Sequence, residues 1–276
     1  MTGTGRLVLV GTPIGNLGDL TPRAAETLAA ADVIACEDTR RTGRLLAHLG
    51  LDAPTLVVFN EHTEFERTDD LLDRVRSGQV VVVVSDAGMP AVSDPGERLV
   101  ARAVTLGMEI EVVPGPSAVL AALVVSGLTT SRFVFEGFLP RKGSGRSARL
   151  SQVSSEPRTI VLFEAPHRLE RTLADLVDVC GADRPVVLAR ELTKLHEEVS
   201  RGTLGELLSA SQSTEPRGEY VIVLAGAPPR PEPTDDEIRD AVLDAQRGLS
   251  TRDAVAEVAS ALGAPHRRVY ELAVAK

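Results

Sequence analysis

Gln79–Gly96 reads QVVVVVSDAGMPAVSDPG, and the junction at its centre decides the fold. The unbroken valine run over 80–84 is β-branched throughout, as in a strand buried on both faces of a parallel sheet. In such sheets ligands collect where loops leave the carboxyl ends of strands. The loop leaving this strand carries two acids (Asp86, Asp94), two glycines (Gly88, Gly96) and two prolines (Pro90, Pro95). Glycine allows close backbone approach, proline stiffens, and carboxylates accept hydrogen bonds from a polar or cationic ligand. A connector of this kind is expected to bind something.

Outward from that loop, strand candidates recur with helical patterns between them: 7–10, 33–35, 55–59, 80–84, 109–113, 133–135, 159–163, 186–189 and 220–224. The alternation predicts an α/β fold with largely parallel pairing. Thr21-Pro22 predicts an N-cap followed by proline in the first turn, and Thr63–Glu66 (TEFE) predicts a capping box. Asp94-Pro95 and Ser117 are expected to open two further helices. Two boundaries stand out: GFLPRKGSGRS over 137–147, and the proline-rich GAPPRPEP over 226–233. They divide the chain into an α/β subdomain over 1–137, a linker over 138–147, a second α/β subdomain over 148–226 and a helical segment over 234–276. In that last segment a helix, a turn at Gly263 and a helix carrying Arg267-Arg268 read either as a helix-turn-helix or as a plain helical hairpin.

A chain of 276 residues with 43% hydrophobic residues can bury a full core without staples. Aromatics are 3% and tryptophan is absent, so the core is aliphatic and a base-stacking platform is not expected. The net charge of −9 excludes a generic nucleic-acid coat but not a local basic patch. Cys36 and Cys180 lie far apart in no metal-ligand spacing, which predicts reduced thiols, a cytoplasmic protein and no metal. The amino-terminal stretch lacks a signal-peptide pattern, and no apolar run reaches the roughly 20 residues needed to cross a bilayer.

The glycine loop GTPIGNLGD (11–19) has the spacing GxxxGxxG, and Pro13 and Pro22 delay the helix, which argues against a dinucleotide fold. RKGSG (141–145) is not a phosphate-binding Walker loop, because its lysine precedes its glycines. Polar clusters recur at strand exits: CEDTRRTGR (36–44), NEHTEFE (60–66), FEAPHR (163–168) and ARELTKLHEEVSRG (189–202). With the SDAG loop they predict one long cleft lined from both halves of the chain.

Taken in order, VGTPIGNLGDLTPRA, CEDTRRTGRLL, FNEH, SDAGMPAVSDPG, VPGPSA, FEGFLPRKG, FEAPHR and ARELTKLHEEVSRG resemble the ribosomal RNA small subunit methyltransferase I family of the tetrapyrrole-methylase fold group. The resemblance runs from Arg6 to about Gly226, and the last segment is similar to that family's C-terminal helix-turn-helix. It implies two tetrapyrrole-methylase-type α/β subdomains with S-adenosyl-L-methionine between them. It implies 2′-O-methylation of a cytidine in the decoding region of 16S ribosomal RNA, within the small ribosomal subunit, by a homodimer. Carried over, cofactor contacts fall on Asp86, Ala87 and Gly88, on Ser117 and Ala118, on Glu164 and Ala165, and on Glu219 and Tyr220.

The sulfonium is an activated methyl donor, so catalysis rests on positioning, with a base or proton path for the hydroxyl. Lys194, His62, Glu61 and His196 are the candidates for that role, with RNA positioning as their alternative. Arg40, Arg41, Arg44, Arg141, Lys142, Arg146 and Arg149 are expected to meet RNA phosphates. Two other readings stand beside this one. One is a same-fold enzyme methylating a tetrapyrrole or a protein side chain; the other is a regulatory module binding nucleic acid through its last helices.

Overall fold

The structure is a computed structural model that describes residues 5–213, 216–229 and 232–274. It divides into two units, residues 1–227 and 228–276. The first contains two five-stranded sheets. In the first sheet β1 (Arg6–Val10), β2 (Val33–Cys36), β3 (Thr55–Val58), β4 (Val80–Val84) and β5 (Ile110–Val113) stand in the order β3-β2-β4-β1-β5. Every pairing is parallel. The valine run occupies the central position, buried from Val81 to Val84, as its unbroken β-branching predicts.

Helices cover both faces of this sheet. α1 (Pro22–Ala29) and α2 (Thr39–His48) pack Leu28 and Leu46 against Val8, Ile34 and Val82. α3 (Glu64–Arg76) and α4 (Glu97–Thr105) pack Leu71, Leu72 and Leu99 against Leu7, Val81 and Val83. Thr21 caps α1 as expected, accepting from Ala24 N. The capping box expected at α3 does not form: Thr63 makes no side-chain cap, and Asn60 Oδ1 instead accepts from His62 N and Thr63 N. The Glu64 carboxylate turns away to accept from Gly96 N and Arg98 N, capping α4 from a neighbouring helix. That satisfies donors which Gly96, lacking a side chain, leaves open.

The second sheet has the order β6-β7-β10-β8-β9, from β6 (Phe133–Phe138), β7 (Thr159–Glu164), β8 (Pro185–Arg190), β9 (Glu198–Thr203) and β10 (Tyr220–Leu224). The expectation of largely parallel pairing fails here. Only β6 and β7 are parallel; β10 runs antiparallel to β7 and β8, and β9 antiparallel to β8. α6 (Ser144–Ser155), α7 (Leu169–Cys180) and α8 (Leu204–Ser213) cover one face through Leu150, Leu173 and Leu204. The other face is covered by α5 (Ala118–Ser126), whose Val119, Ala122 and Leu123 pack on Val161, Val187 and Val223.

The expected subdomain boundary after residue 137 does not coincide with this division. β6 pairs with β7, and α5 already lies on the second sheet. Residues 138–147, read as a linker, are the end of β6, a turn and the start of α6.

The second unit holds α9 (Asp235–Ala245), α10 (Thr251–Leu262) and α11 (His266–Val274) around Ile238, Val242, Val255 and Val269. Thr234 and Glu237 form a capping box, and Gly263 ends α10 in the left-handed region at φ 65°. No helix among the described residues is long and apolar enough to cross a membrane, and none of their side chains cluster as a metal site.

Candidate active site

The loops that leave β1, β2, β4 and β5 at the carboxyl edge of the first sheet line a cleft together with residues of the second sheet. β10 is antiparallel to β7 and β8, so its first residues, Glu219 and Tyr220, lie beside the ends of those strands. The result is a cleft of two lobes, of about 470 and 380 Å³, with Ile14, Arg41, Asp86, Ala87, Lys194 and Glu219 common to both. A cleft lined from both halves is what the strand-end clusters predicted, but the cluster over 60–66 takes no part in it.

Two close approaches hold it together. A Cβ on Gly11 would lie 2.7 Å from Gly115, so the β1 and β5 exits touch backbone to backbone. A Cβ on Gly15 would lie 2.4 Å from Lys194 Cγ, and Asn16 N donates to Thr193 Oγ1 at 3.1 Å. The glycines of GTPIG therefore serve packing between loops.

The non-glycine residues with φ in the left-handed region, among those described, are Ala91, Ser93, Glu191 and Thr193. They lie in just two loops, Ser85–Gly96 and the one after β8, and Ser93 and Glu191 line the cleft. Such backbone costs roughly 1–3 kcal/mol per residue and concentrates at functional sites.

The smaller lobe is acidic. Its walls carry Glu37, Asp86, Asp94, Glu164, Glu191 and Glu219 against only Arg41 and Lys194. Glu37 accepts from Asp86 N at 2.9 Å, and burial raises its carboxyl above the usual range. Burial also raises Asp86, with Arg41 at 3.3 Å pulling the other way. Burial, reinforced by Glu37, pushes Asp94 up to about 7, against a hydrogen bond to Ser85. Crowded carboxylates in a half-buried space favour protonation until a cation arrives. One atom is conspicuous: Asp86 Oδ1 is buried and has no hydrogen-bond partner. A buried acceptor left open costs stability and invites an explanation.

The expected cofactor residues separate into two groups. Asp86, Ala87, Ala118, Glu164, Ala165, Glu219 and Tyr220 line the smaller lobe. Gly88 and Ser117 do not. Gly88 is bridged to Thr12 through two backbone hydrogen bonds, and Ser117 caps α5. Glu164 is 2% exposed and its carboxylate is fully engaged, accepting from Ala165 N and Thr172 Oγ1 and pairing with Arg168 at 3.1 Å.

Among the expected catalytic residues only Lys194 lines the cleft. Its Nζ lies 3.0 Å from both Glu191 and Glu219. Burial works to lower its pKa, but hydrogen bonds to Glu219 and Glu191 prevail and raise it. Its two carboxylate partners thus favour the charged ammonium form. His62, Glu61 and His196 are exposed and line neither lobe. Asp94, which has the basicity they were meant to supply, was visible in the SDPG motif as an acid beside glycine and proline.

The expected RNA contacts also divide. Arg41 and Arg44 line the larger lobe. Arg40 forks onto its neighbour Asp38, at 3.0 and 2.7 Å, and holds that carboxyl well below its usual range. Arg149 pairs with Glu136 on β6 at 3.0 Å. Arg141 and Lys142 are exposed in the β6–α6 turn. Arg146 is 4% exposed and bonds to Asp175, Pro140 O and Thr172. It ties α6 to α7. Arg268 is similarly occupied, pairing with Asp235 and Glu232.

Residues 6–208 match the family described as Tetrapyrrole (Corrin/Porphyrin) Methylases, and residues 232–276 match the RsmI C-terminal HTH domain. A protein of Synechocystis sp. named ribosomal RNA small subunit methyltransferase I is 45% identical over 273 residues, 98% of each chain. A Thermotoga maritima protein of the same name is 48% identical over 222 residues, covering 80% of this chain and 99% of its own. Among solved structures, cobalt precorrin-4 methyltransferase shares the fold with a TM-score of 0.61 at 23% identity, covering 80% of this chain and 94% of its own. Uroporphyrin-III C-methyltransferase from Thermus thermophilus, complexed with S-adenosyl homocysteine, does so at 0.58 and 24%, covering 80% and 97%.

Proposed function

Because the chain belongs to the ribosomal RNA small subunit methyltransferase I family of the tetrapyrrole methylases, whose methyl donor is S-adenosyl-L-methionine, we propose that it transfers that methyl group to the ribose 2′-hydroxyl of a cytidine in the decoding region of 16S ribosomal RNA. Kinship with rRNA methyltransferases along essentially the whole chain, the terminal helical unit included, carries this reading.

The acidic lobe suits the cofactor. A cationic sulfonium and ammonium are favoured by surplus carboxylate, and Asp86 Oδ1 is an acceptor awaiting a donor. Asp86, Ala87, Ala118, Ala165, Glu219 and Tyr220 would hold it, with small side chains leaving room for its body. The cofactor supplies an electrophilic methyl group, so this chain's own task is alignment and proton removal. The larger lobe, with Arg41 and Arg44 on its wall, suits a phosphate-bearing nucleotide. Lys194 reaches both lobes and contributes fixed positive charge. Glu37, Asp86 and Asp94 are the carboxylates available to take the hydroxyl proton, and Asp94 is the most basic of them.

A homodimer and a cytoplasmic setting complete the proposal. The dimer is supported by exposed apolar side chains, Leu120 and Val124 on α5 at 53% and 71% and Val112 on edge strand β5 at 54%. The experiment is methyl transfer from labelled S-adenosylmethionine to small-subunit rRNA, followed by nucleoside mass spectrometry. A 2′-O-methylcytidine in the decoding region is expected. Transfer to a tetrapyrrole and not to RNA would replace this reading with the same-fold alternative.

A further inference from the structure

Away from the cleft a recess of about 270 Å³ is lined by Arg141, Arg146, His167, Arg168 and Arg171. We propose that this recess holds a backbone phosphate of the RNA substrate, in a second anchoring point beside the methyl-transfer cleft; the proposal rests on the RNA reading above.

The recess is built for an anion. Four guanidinium groups line it, and no carboxylate does. The two carboxylates that touch them, Asp175 and Glu164, stand behind and set their positions. Arg146 is locked by Asp175, Pro140 O and Thr172, and Arg168 by Glu164 and Leu139 O. Four positive and two negative groups leave a surplus of two positive charges in a protein whose net charge is −9. Arg141 and Arg171 are exposed at the rim, and Arg171 makes only a 4.0 Å contact with Asp175.

The backbone adds to this. The recess lies where α6 and α7 begin, and neither Gly143 nor Arg168 supplies a side-chain cap. A helix amino terminus carries partial positive charge, so stacking arginines there is unfavourable until an anion is present. Forked guanidinium groups match a phosphate's paired oxygens.

Position ties the recess to the reaction. FEAPHR turns from one site into the other: Glu164, Ala165 and Pro166 line the cleft, while His167 and Arg168 line the recess. Glu164 pairs with Arg168 across the turn. A phosphate seated here fixes the strand beside the nucleotide being methylated.

The test is the double variant Arg141→Gln/Arg171→Gln, whose side chains are exposed, in the full-length protein. Binding to a small-subunit rRNA transcript is measured across salt concentrations, with cofactor affinity measured by calorimetry. RNA affinity should fall roughly tenfold, and the slope of log affinity against log salt should shrink by about 1. Cofactor affinity should hold, and Arg76→Gln, whose side chain pairs with Asp73 and lines neither cleft nor recess, should change neither quantity. Unchanged affinity and slope in the double variant, with salt-dependent binding by the parent protein, overturns the recess and leaves the RNA reading standing. A parent protein that binds the transcript without salt dependence overturns both. Inorganic phosphate is titrated in parallel. If it binds the parent and not the variant while RNA affinity is equal in both, the recess serves a free anion, and the RNA assignment fails.

Discussion

Asp86 is where the site's chemistry is most concentrated: one oxygen faces Arg41 and the other has no partner. A charge-assisted hydrogen bond to a bound ligand is worth about 1.5–3 kcal/mol. Asp86→Ala should therefore weaken S-adenosylmethionine by roughly 10- to 100-fold in calorimetry, with RNA affinity nearly unchanged. Collapse of RNA binding with intact cofactor affinity would reverse the assignment. Asp94 titrates near neutrality, at about 7, so a cation bound beside it should draw it into its ionised form. Cofactor binding below pH 7 should release protons, seen as heats that depend on the buffer's ionisation enthalpy. Affinity should rise with pH up to about 7 and then level off. The sign for stability is opposite. The native carboxyl binds its proton more tightly than the unfolded one, so the unliganded protein loses stability as pH climbs from about 4 to about 7. Asp94→Asn should remove that loss and raise stability at pH 8 by an amount on the order of 1 kcal/mol, read from urea unfolding.

Helices and strands show which parts of the chain were readable in advance. The valine run, the Thr21 cap and the Gly263 turn stand where their local chemistry puts them. β9 went unseen because an edge strand paired only to β8 needs few apolar residues, and EVSRGT has a single one in Val199. The capping box at Thr63 failed because its hydroxyl is taken by the loop before α3, accepting from Asn60 N and donating to Val58 O, contacts that only the folded turn creates. Arg146 shows the same limit: it sits in a glycine- and serine-rich stretch that reads as a mobile basic loop, yet its partner Asp175 is fixed only by the packing of α6 on α7. Removing the buried guanidinium deletes its pair with Asp175 and its bonds to Pro140 O and Thr172, so Arg146→Ala should cost about 3 kcal/mol in chemical unfolding. Unaltered stability would show that Arg146 does not tie α6 to α7.

At the scale of the molecule, the two compact units predict separable roles. A chain ending after Ala227 should still bind the cofactor, since every residue of the cleft lies in the first unit. At 100 times its dissociation constant the ligand should stabilise the shortened protein and the full chain alike, by roughly 2.7 kcal/mol. No thermal shift in the shortened chain, with a shift in the full one, would tie the terminal helices to the cofactor site. The position of α5 has a consequence for exchange between relatives. It leaves the PGPS turn of one sheet and lies flat upon the other. A chimaera spliced at residue 137 would give one parent's α5 the other parent's strands to rest on, and would mismatch the very floor of the cleft. The piece that can be transplanted whole is the cavity with everything that walls it, which makes this chain a poor candidate for swapping halves and a sound one for swapping its last helices.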